Sequence, residues 1–146
     1  MKEMQDCLFC KLLTGELEVS MVYQDHYCSA FMDIQPINAG HMLVVPNRHA
    51  TDLAELKEED GAQMFRVAHR LAKILTIGVL KCEGINFFLA DGEAAGQEVF
   101  HVHLHVFPRY AGDGFGFRLP PRYSQMPDRR ELNVLADKIR SHLEKE

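Results

Sequence analysis

Short apolar runs bounded by turn residues recur along the chain and predict β-strands. The clearest is residues 41–46, in which Val44 and Val45 are β-branched and Pro46 ends the run. Pro36, Asn38 and Gly40 mark a turn before it. The predicted strands are residues 21–24, 27–33, 41–46, 85–89 and 99–108.

A longer segment, residues 57–81, has the 3.6-residue period of an amphipathic helix. We predict that one face of this helix is buried. We also predict that it ends near Gly84, because glycine is common just after a helix. The residues of the predicted buried face are Phe65, Ala68, Ala72, Leu75 and Val79.

A second helix is predicted to begin near Asp128, with Glu131 at the spacing of a capping box. Residues 110–126, which precede it, are rich in Gly, Pro and Arg and are predicted to be irregular. An apolar stripe runs along the helix and is interpreted as a packing face. Its residues are Leu132, Leu135, Ala136, Ile139 and Leu143.

The order of these segments predicts the fold class. Helices do not alternate regularly with strands, and several strands are joined by short turns, which favours an antiparallel sheet and the α+β class. We predict a sheet of about five strands with one long central helix and a C-terminal helix. The length of 146 residues is that of a single domain.

Composition narrows the possible classes of protein. Hydrophobic residues are 47% and charged residues 25% of the chain, which is typical of a globular protein. The formal charge of −5 argues against a nucleic-acid polymer as partner. No apolar run approaches the roughly 18 residues that span a membrane. Residues 1–6 are polar and lack the apolar core of a signal peptide, so we expect a cytoplasmic protein.

The cysteines divide into two kinds. Cys28 and Cys82 have apolar neighbours and are predicted to be buried thiols. Cys7 and Cys10 form a C-x-x-C pair, which has the spacing of zinc ligands. With only two cysteines close together, a chance pair is about as probable as a metal site on this spacing alone.

Three alternating histidines carry the strongest chemical signal. On a strand, His101, His103 and His105 would lie on one face, and the apolar residues between them would anchor the other face. Imidazoles in this arrangement do not stabilise a strand, which favours a functional role for the three histidines over a structural one. They could hold a metal ion. Alternatively, one histidine could be a nucleophile and a neighbour could protonate the leaving group.

The stretch 101–107 has the pattern His-φ-His-φ-His-φ-φ, in which φ is apolar. It resembles the signature of the histidine triad (HIT) family of nucleotide hydrolases and transferases. Other stretches resemble the family in the same order: residues 7–11, 31–36, 41–46 followed by His49, and Gly96-Gln97 in the phosphate loop. The resemblance covers about residues 7–109, so we interpret residues 1–146 as one HIT domain with a C-terminal extension, 110–146.

The resemblance implies that His103 is the nucleophile. Its ring nitrogen would attack the α-phosphorus of a nucleoside phosphoramidate or dinucleoside polyphosphate, and water would release a nucleoside monophosphate from the nucleotidyl-histidine. Such a route divides one difficult displacement into two easier ones. The other implied catalytic residues are His101, His105 and Gln97, of which the last two would contact the phosphate.

The resemblance also implies where a purine nucleotide binds, without an organic cofactor. Asp33 would hold the ribose hydroxyls, and the backbone near Gly96 would approach the phosphate. Phe9, Phe31 and Ile34 would form the walls around the base. Other interpretations remain open, because Asp33 also suits a turn and the three apolar residues also suit an ordinary core.

A structural zinc ion is also implied by the resemblance. Some HIT proteins, and the related galactose-1-phosphate uridylyltransferases, hold zinc with a C-x-x-C pair and two histidines. The matching residues here are Cys7, Cys10, His49 and His101. A Cys₂His₂ set is a closed tetrahedral one and would leave His103 free of metal.

Two departures and a basic segment bear on the substrate. Glu98 stands where the phosphoramidate hydrolase branch carries Ser or Thr, and Ala90 stands where the family has Asn. An ionised carboxylate only accepts hydrogen bonds, so the leaving group is left open. Arginines of the segment 118–130 could meet further phosphates or simply be solvated: Arg118, Arg122, Arg129 and Arg130.

The resemblance implies a homodimer in which two sheets join. Two other functions remain possible. A non-catalytic nucleotide-binding scaffold would keep the fold but turn over no substrate. A hydrolase whose triad holds a catalytic metal is less favoured, because the motif itself contains no carboxylate ligand.

Overall fold

The centre of the fold is a five-stranded antiparallel sheet in a computed structural model that describes residues 6–146. The strands are β1 (Met21–Gln24), β2 (Cys28–Met32), β3 (Met42–Pro46), β4 (Gly84–Phe88) and β5 (Leu104–Arg109). Their order is β1-β2-β3-β5-β4, so β1 and β4 are the edges. Each neighbouring pair is antiparallel, which confirms the predicted α+β class.

Within residues 6–146 the α-helices are α1 (Leu8–Thr14), α2 (Glu58–Ile74) and α3 (Arg129–Leu143). The chain forms two compact units, one ending at Gly114 and the other consisting of Phe115–Glu146. None of the helices in the described range is both long and apolar enough to cross a bilayer. The predicted buried cysteines, Cys28 and Cys82, are buried and reduced.

Helix α1 was not expected from the sequence, since it has only seven residues and no apolar period. Cys7 caps it: the Cys7 Sγ accepts a hydrogen bond from the Cys10 N–H at 3.4 Å. Gly15 ends it with φ 81°, a left-handed conformation that glycine adopts without steric cost. The helix therefore brings Cys7 and Cys10 to the same end.

The predicted buried face of the helix is confirmed in part, since Ala68 and Leu75 are buried, whereas Phe65 and Val79 are exposed. The buried apolar residues of α2 are Met64, Val67, Ala68 and Leu71. They pack in one core with residues of β2, β3 and β5. The predicted Phe65 is instead 59% exposed. Apolar residues occupy two neighbouring stripes of this helix, and only contact with the sheet decides which stripe is buried.

The end of α2 is also corrected. The helix gives way at Leu75 to a π-helical turn, Leu75–Val79, in which the Leu80 N–H donates to the Leu75 carbonyl at 3.3 Å. Lys81, with φ 50°, lies in the left-handed region before the next strand. Gly84, predicted to end the helix, begins β4 and pairs with Arg109. The π-turn interrupts the i→i+4 ladder before the predicted end is reached.

Strand β5 begins later than predicted, at Leu104 instead of residue 99. The preceding segment bonds to the last residue of β3 and to the loop that follows it. The Val102 N–H donates to the Ala50 carbonyl at 2.8 Å, and His101 bonds to the Pro46 carbonyl, also at 2.8 Å. These two contacts stand in place of the first rungs of the expected ladder.

In the C-terminal unit, the capping box of α3 is confirmed. The Asp128 carboxylate accepts from the Glu131 N–H at 2.8 Å, and the Glu131 carboxylate accepts from the Asp128 N–H at 3.1 Å. Within this unit the apolar stripe of α3 is not covered, since Leu132, Leu135, Ile139 and Leu143 are each at least 41% exposed. Residues 110–126 contain one short 3₁₀ turn, Pro121–Ser124.

An ion pair between the buried Asp60 and the half-exposed Arg48 joins α2 to the end of β3. Asp60 is 2% exposed and lies in the first turn of α2. Arg48 binds both of its oxygens, through Nε at 2.9 Å and Nη2 at 2.7 Å. Hydrogen bonds to Asp60 and then to Glu59 raise the pKa of Arg48. Arg48 directly precedes His49, so its ion pair with Asp60 restrains the loop that carries His49.

The β1–β2 turn is organised by the Asp25 carboxylate. Its Oδ1 accepts from the N–H groups of Tyr27 at 2.7 Å and Cys28 at 2.8 Å. Its Oδ2 accepts from the Tyr23 hydroxyl at 2.8 Å and the Gln63 amide at 2.7 Å. Burial raises the pKa of Asp25, but these four hydrogen bonds outweigh burial and lower the pKa to about 2.

Replacing Asp25 by asparagine should destabilise the protein by about 1 kcal/mol at neutral pH, a value reduced for its partial exposure. The folded-state pKa of about 2 lies below the ordinary 3.8, so the carboxylate stabilises the fold above pH 3.8 and loses this effect as the pH falls towards 2. Urea unfolding of both proteins at neutral pH and near pH 2 measures this. A difference that does not shrink in acid would contradict it.

Candidate active site and metal centre

The three histidines lie on one side of the chain, as the alternation predicts. The rings of His103 and His105 have centroids 5.0 Å apart. On the opposite side, Val102 and Val106 belong to the core beneath α2, and Leu104 packs against it. The alternation thus holds even though two of the histidines precede the ladder of β5.

Backbone hydrogen bonds fix the tautomers of His101 and His103. A carbonyl oxygen only accepts, so the ring nitrogen facing it carries the proton. His101 Nε2 donates to the Pro46 carbonyl at 2.8 Å, which leaves the lone pair of a neutral ring on Nδ1. His103 Nδ1 donates to the His101 carbonyl at 2.7 Å, which leaves the lone pair on Nε2. His103 therefore has the free ring nitrogen that a nucleophile needs.

His105 has the opposite tautomer because of His41, a residue that our site assignment missed. The Ile37 N–H donates to His41 Nδ1 at 3.0 Å, so a neutral His41 carries its proton on Nε2. His41 Nε2 lies 2.8 Å from His105 Nδ1 and donates to it. His105 consequently carries its proton on Nε2. The only sequence signal for His41 was its position in the matched stretch 41–46.

Asp33 has two roles in the geometry. Its Oδ1 accepts from the Gln35 N–H at 2.8 Å, which is the turn interaction considered above. Its Oδ2 lies 3.5 Å from His41 Nε2 and 4.0 Å from His105 Nδ1. The carboxylate therefore faces the histidine pair while it holds the turn after β2.

Burial keeps several of these rings neutral. Burial, followed by the nearby His103 and His41, lowers the pKa of His105 to about 4, against a smaller effect of Asp33. Burial also lowers the pKa of His101 to about 4. It lowers the pKa of His41, again against Asp33. At neutral pH His105 thus offers a polarised N–H and not a positive charge.

The four predicted zinc ligands come together. The Cys7 Sγ and Cys10 Sγ lie 3.4 and 3.6 Å from His101 Nδ1. The Cys10 Sγ also lies 3.4 Å from His49 Nδ1. All four ligand atoms are within 4.8 Å of one another.

This donor set fits zinc. Tetrahedral Zn–S and Zn–N bonds imply a sulfur-to-nitrogen separation of about 3.6 Å. His101 Nδ1 has its lone pair directed to the sulfurs, because its other nitrogen donates to Pro46. Burial, and then Cys7, raise the pKa of Cys10 to about 11, so a metal that binds its thiolate must displace a proton.

A second group of possible metal ligands is Asp33, His41 and His105. Asp33, which directly follows β2, therefore supplies the carboxylate that the histidine motif lacks. The absence of a carboxylate from the motif is thus no argument against a metal ion at the triad. A metal on His41 Nε2 would still remove its only ring proton, because Nδ1 accepts from the Ile37 N–H. The required imidazolate is unfavourable, so the geometry favours a hydrogen-bonded pair at this position over a metal site.

Gln97 is buried and its amide is engaged within the protein. Its Nε2 donates to the carbonyls of Thr51 at 2.8 Å and Val99 at 3.1 Å. Its Oε1 accepts from the Gly92 N–H at 2.8 Å. The Gly96 N–H also bonds inside this loop, to the Glu93 carbonyl at 2.9 Å. The Gln97 amide and the Gly96 N–H could contact a phosphate only after breaking these hydrogen bonds within the protein.

The three residues assigned to the base differ in exposure. Phe9 and Phe31 are buried and contact each other edge to face, with centroids 5.5 Å apart. Ile34 is fully exposed. Two of the residues thus belong to the second core cluster of the protein, and only Ile34 presents its side chain freely to a ligand.

Glu98 is exposed and lines a surface cleft of about 500 Å³. The cleft also reaches Thr51 and two of the metal-binding group, Cys7 and His49. Ala90, the second departure from the family pattern, is buried. Its methyl side chain carries no polar atom, so it cannot make the polar contact that the family's Asn implies at this position.

Known proteins share this arrangement of elements. A profile of the HIT domain matches residues 14–112. An uncharacterized HIT-like protein of Borreliella burgdorferi is 41% identical over 116 residues, which are 79% of this chain and 84% of that protein. The adenylylsulfatase HINT3 of Arabidopsis thaliana is 29% identical over 138 residues, which are 94% of this chain and 70% of that protein.

A solved structure is similar over almost its whole length. It is a zinc-bound histidine triad family protein from Mycobacterium smegmatis, with a TM-score of 0.73 and 35% identity. The similarity covers 97% of this chain and 98% of that chain. With the profile match and the Borreliella relative, it follows that this chain belongs to the HIT family, as the histidine pattern predicted.

Proposed function

We propose that the protein is a nucleotide hydrolase that cleaves at the α-phosphate through a covalent intermediate on His103. The observation that carries this proposal is the pair of opposite tautomers at neighbouring rings. His103 has a lone pair on Nε2, held there by the His101 carbonyl. His105 has a proton on Nε2, held there by His41. One ring can attack phosphorus and the other can donate to the phosphate.

In the first step, His103 Nε2 forms a bond to the α-phosphorus and the bond to the leaving group breaks. His105 Nε2–H donates to the phosphate, where negative charge develops. In the second step, water attacks the nucleotidyl-histidine, releases a nucleoside monophosphate and restores the His103 lone pair. Over the two steps one water supplies its hydroxyl to the phosphorus and a proton to the departing group, so the sum is hydrolysis.

For the nucleotide, we propose the contacts that the resemblance implies. Asp33 would bind the ribose hydroxyls with the carboxylate that now faces His41 and His105. Ile34 would cover the base, with Phe9 and Phe31 beneath. Gln97 and Gly96 would act on the phosphate after leaving their loop partners, or hold the loop in shape from where they are.

We also propose that Cys7, Cys10, His49 and His101 bind a structural zinc ion. The donor distances and the Nδ1 lone pair of His101 support this choice. Zinc would link α1 to the histidine segment and supply no chemistry to the substrate. Reduced cysteines fit the cytoplasmic location that we propose for one HIT domain with its C-terminal extension.

A homodimer joined along β4 is proposed from the exposed surface of that side. Strand β4 is an edge of the sheet. Phe65 on α2 contacts Phe87 of β4, with centroids 5.7 Å apart. Beyond them, Ile77 and Val79 are 74% and 69% exposed. Pairing of two β4 edges would cover this apolar surface.

Sedimentation equilibrium should give twice the chain mass for the wild type, and Ile77→Asp should give monomers. A monomeric wild type would refute the dimer.

The experiment that tests the function follows AMP release from adenosine phosphoramidate and from a diadenosine polyphosphate. Samples quenched within one turnover are also analysed by intact-protein mass spectrometry. Release of AMP together with a protein heavier by one adenylyl group is expected. AMP binding without turnover of either substrate would favour a scaffold. Turnover without an adduct in the quenched samples would exclude the covalent route.

Replacing His41 by phenylalanine should lower kcat by about a hundred-fold, because His105 would lose the donor that keeps its proton on Nε2. KM should change less than kcat, since His41 is buried. Steady-state kinetics measure both constants. The exposed His26→Phe is the matched control. An unchanged kcat in the folded His41 variant would show that the pair is not needed.

A further inference from the structure

The turn between β2 and β3 supplies the donor that orients the histidine pair. The Ile37 N–H donates to His41 Nδ1 at 3.0 Å. The next residue, Asn38, accepts the His41 N–H on its carbonyl at 3.1 Å. The turn closes at its base, where the Asp33 N–H donates to the His41 carbonyl at 3.0 Å. The backbone of Asn38 is therefore bonded to the residue whose ring this turn orients.

The side chain of Asn38 ties this turn to the end of β5. Its Nδ2 donates to the Pro108 carbonyl and to Asp113 Oδ2, both at 2.9 Å. The Asp113 side chain is 6% exposed and is held by Arg109, through Nε at 2.7 Å and Nη2 at 2.9 Å. Arg109 also donates to the side chain of Asn86 on β4 at 2.6 Å. The turn is thus anchored on two neighbouring strands of the sheet.

The rings of His41 and His105 can share their proton in two ways. In the arrangement described above, His41 Nε2 carries the proton and donates it to His105 Nδ1 at 2.8 Å. In the reverse arrangement His105 Nδ1 would donate, and a neutral His105 would have no proton on Nε2 for the phosphate. Asp33 Oδ2 faces both nitrogens, at 3.5 and 4.0 Å. The Ile37 N–H, which needs a lone pair on His41 Nδ1, therefore selects the first arrangement.

We propose that Asn38 is a positioning residue that keeps His105 in its donor tautomer by holding the turn in place. Anchored on β5, its side-chain amide fixes the Ile37 N–H against His41 Nδ1. Asn38 acts only through this N–H and not on the substrate. The inference rests on the proposed function for the part that His105 plays in the reaction. It assigns an effect on the chemical step to a residue outside the histidine motif.

A merely structural role of Asn38 and a positioning role predict different results. Loss of its two side-chain hydrogen bonds lowers the melting temperature in either case. A positioning role also lowers kcat, because His105 can donate to the phosphate only in one tautomer. KM changes little, since that donation strengthens as charge develops in the transition state. Only a positioning role alters which nitrogens of His41 and His105 carry protons.

The experiment compares wild type, Asn38→Leu and Gln63→Met. Leucine has nearly the shape of asparagine but no donors. Gln63 is the matched control, because its amide is also half-buried and also donates to a carboxylate in a turn, that of Asp25, at 2.7 Å. Both variants should melt at a lower temperature than wild type. Only Asn38→Leu should lose at least about ten-fold in kcat, with KM within about three-fold.

A second readout needs no substrate. The ¹⁵N spectra of the imidazoles at neutral pH report which ring nitrogens carry protons. Wild type and Gln63→Met should have the proton on Nε2 in both His41 and His105. Asn38→Leu should show a mixture of the two arrangements. If Asn38→Leu does not fold, Asn38→Ala removes the same donors, lets water reach their partners and should give the same mixture.

The two readouts separate this inference from the proposed function. If wild type turns over neither substrate but the tautomers of the pair depend on Asn38, the positioning role stands and the proposed reaction fails. If wild type releases AMP and a folded Asn38 variant matches it in kcat or in tautomers, the reaction stands and the positioning role is overturned. An equal loss of kcat in Gln63→Met would assign the effect to stability and would overturn the proposal as well.

Discussion

Replacement of His103 by alanine is expected to lower AMP release at least about a thousand-fold, because it removes the ring nitrogen whose lone pair is free beside His105. The adenylyl adduct should disappear with it. The fold should survive, since the apolar residues that anchor this segment, Val102 and Val106, are untouched. Rapid-quench kinetics and intact-protein mass measure both effects.

The matched control is His26→Ala, which removes an exposed imidazole from the β1–β2 turn. This variant should keep wild-type kcat. Isothermal titration with AMP should give the His103 variant an affinity near that of wild type, which separates loss of chemistry from loss of binding. If the His103 variant still forms the adduct, another residue is the nucleophile and the assignment from tautomers is wrong.

Replacement of Arg48 by methionine is expected to produce the largest loss of stability outside the core. It would leave the Asp60 carboxylate, 2% exposed, without the two hydrogen bonds that now satisfy its oxygens. We expect the melting temperature to fall by about 10 °C. Differential scanning calorimetry measures this, with the exposed Arg66→Met as the control.

A double variant tests the reason for that loss. If the penalty comes from an unpaired buried carboxylate, adding Asp60→Leu to Arg48→Met should recover most of the lost melting temperature. If instead the arginine stem supplies the stability by packing, the double variant should be no better than the single one. That result would show that the ion pair does not stabilise the loop that carries His49.

Local sequence signals predicted several elements well. The run ending at Pro46 gave β3 within one residue, and Asp128 and Glu131 gave the start of α3. The alternation of His101, His103 and His105 gave the correct faces. Each of these signals depends on residues a few positions apart, so that period and side-chain chemistry suffice.

Features that depend on distant partners could not be predicted. The buried stripe of α2 is chosen by the sheet it covers, because Met64 and Phe65 are equally apolar in the sequence. His41 became part of the site only through its bond to His105, 64 positions away. The Arg48–Asp60 pair likewise has no sequence pattern that distinguishes it from two surface charges.

The late start of β5 has a consequence for the order in which parts of the protein would unfold. His103 lies before the ladder, on a segment held by the carbonyls of Pro46 and Ala50. Hydrogen bonds to a loop open at lower free energy than those in the middle of a sheet. The amide of Val102 should therefore exchange its hydrogen with solvent well before that of Val106. Heat or mild denaturant would thus release the segment that carries His103 while most of the sheet is still native.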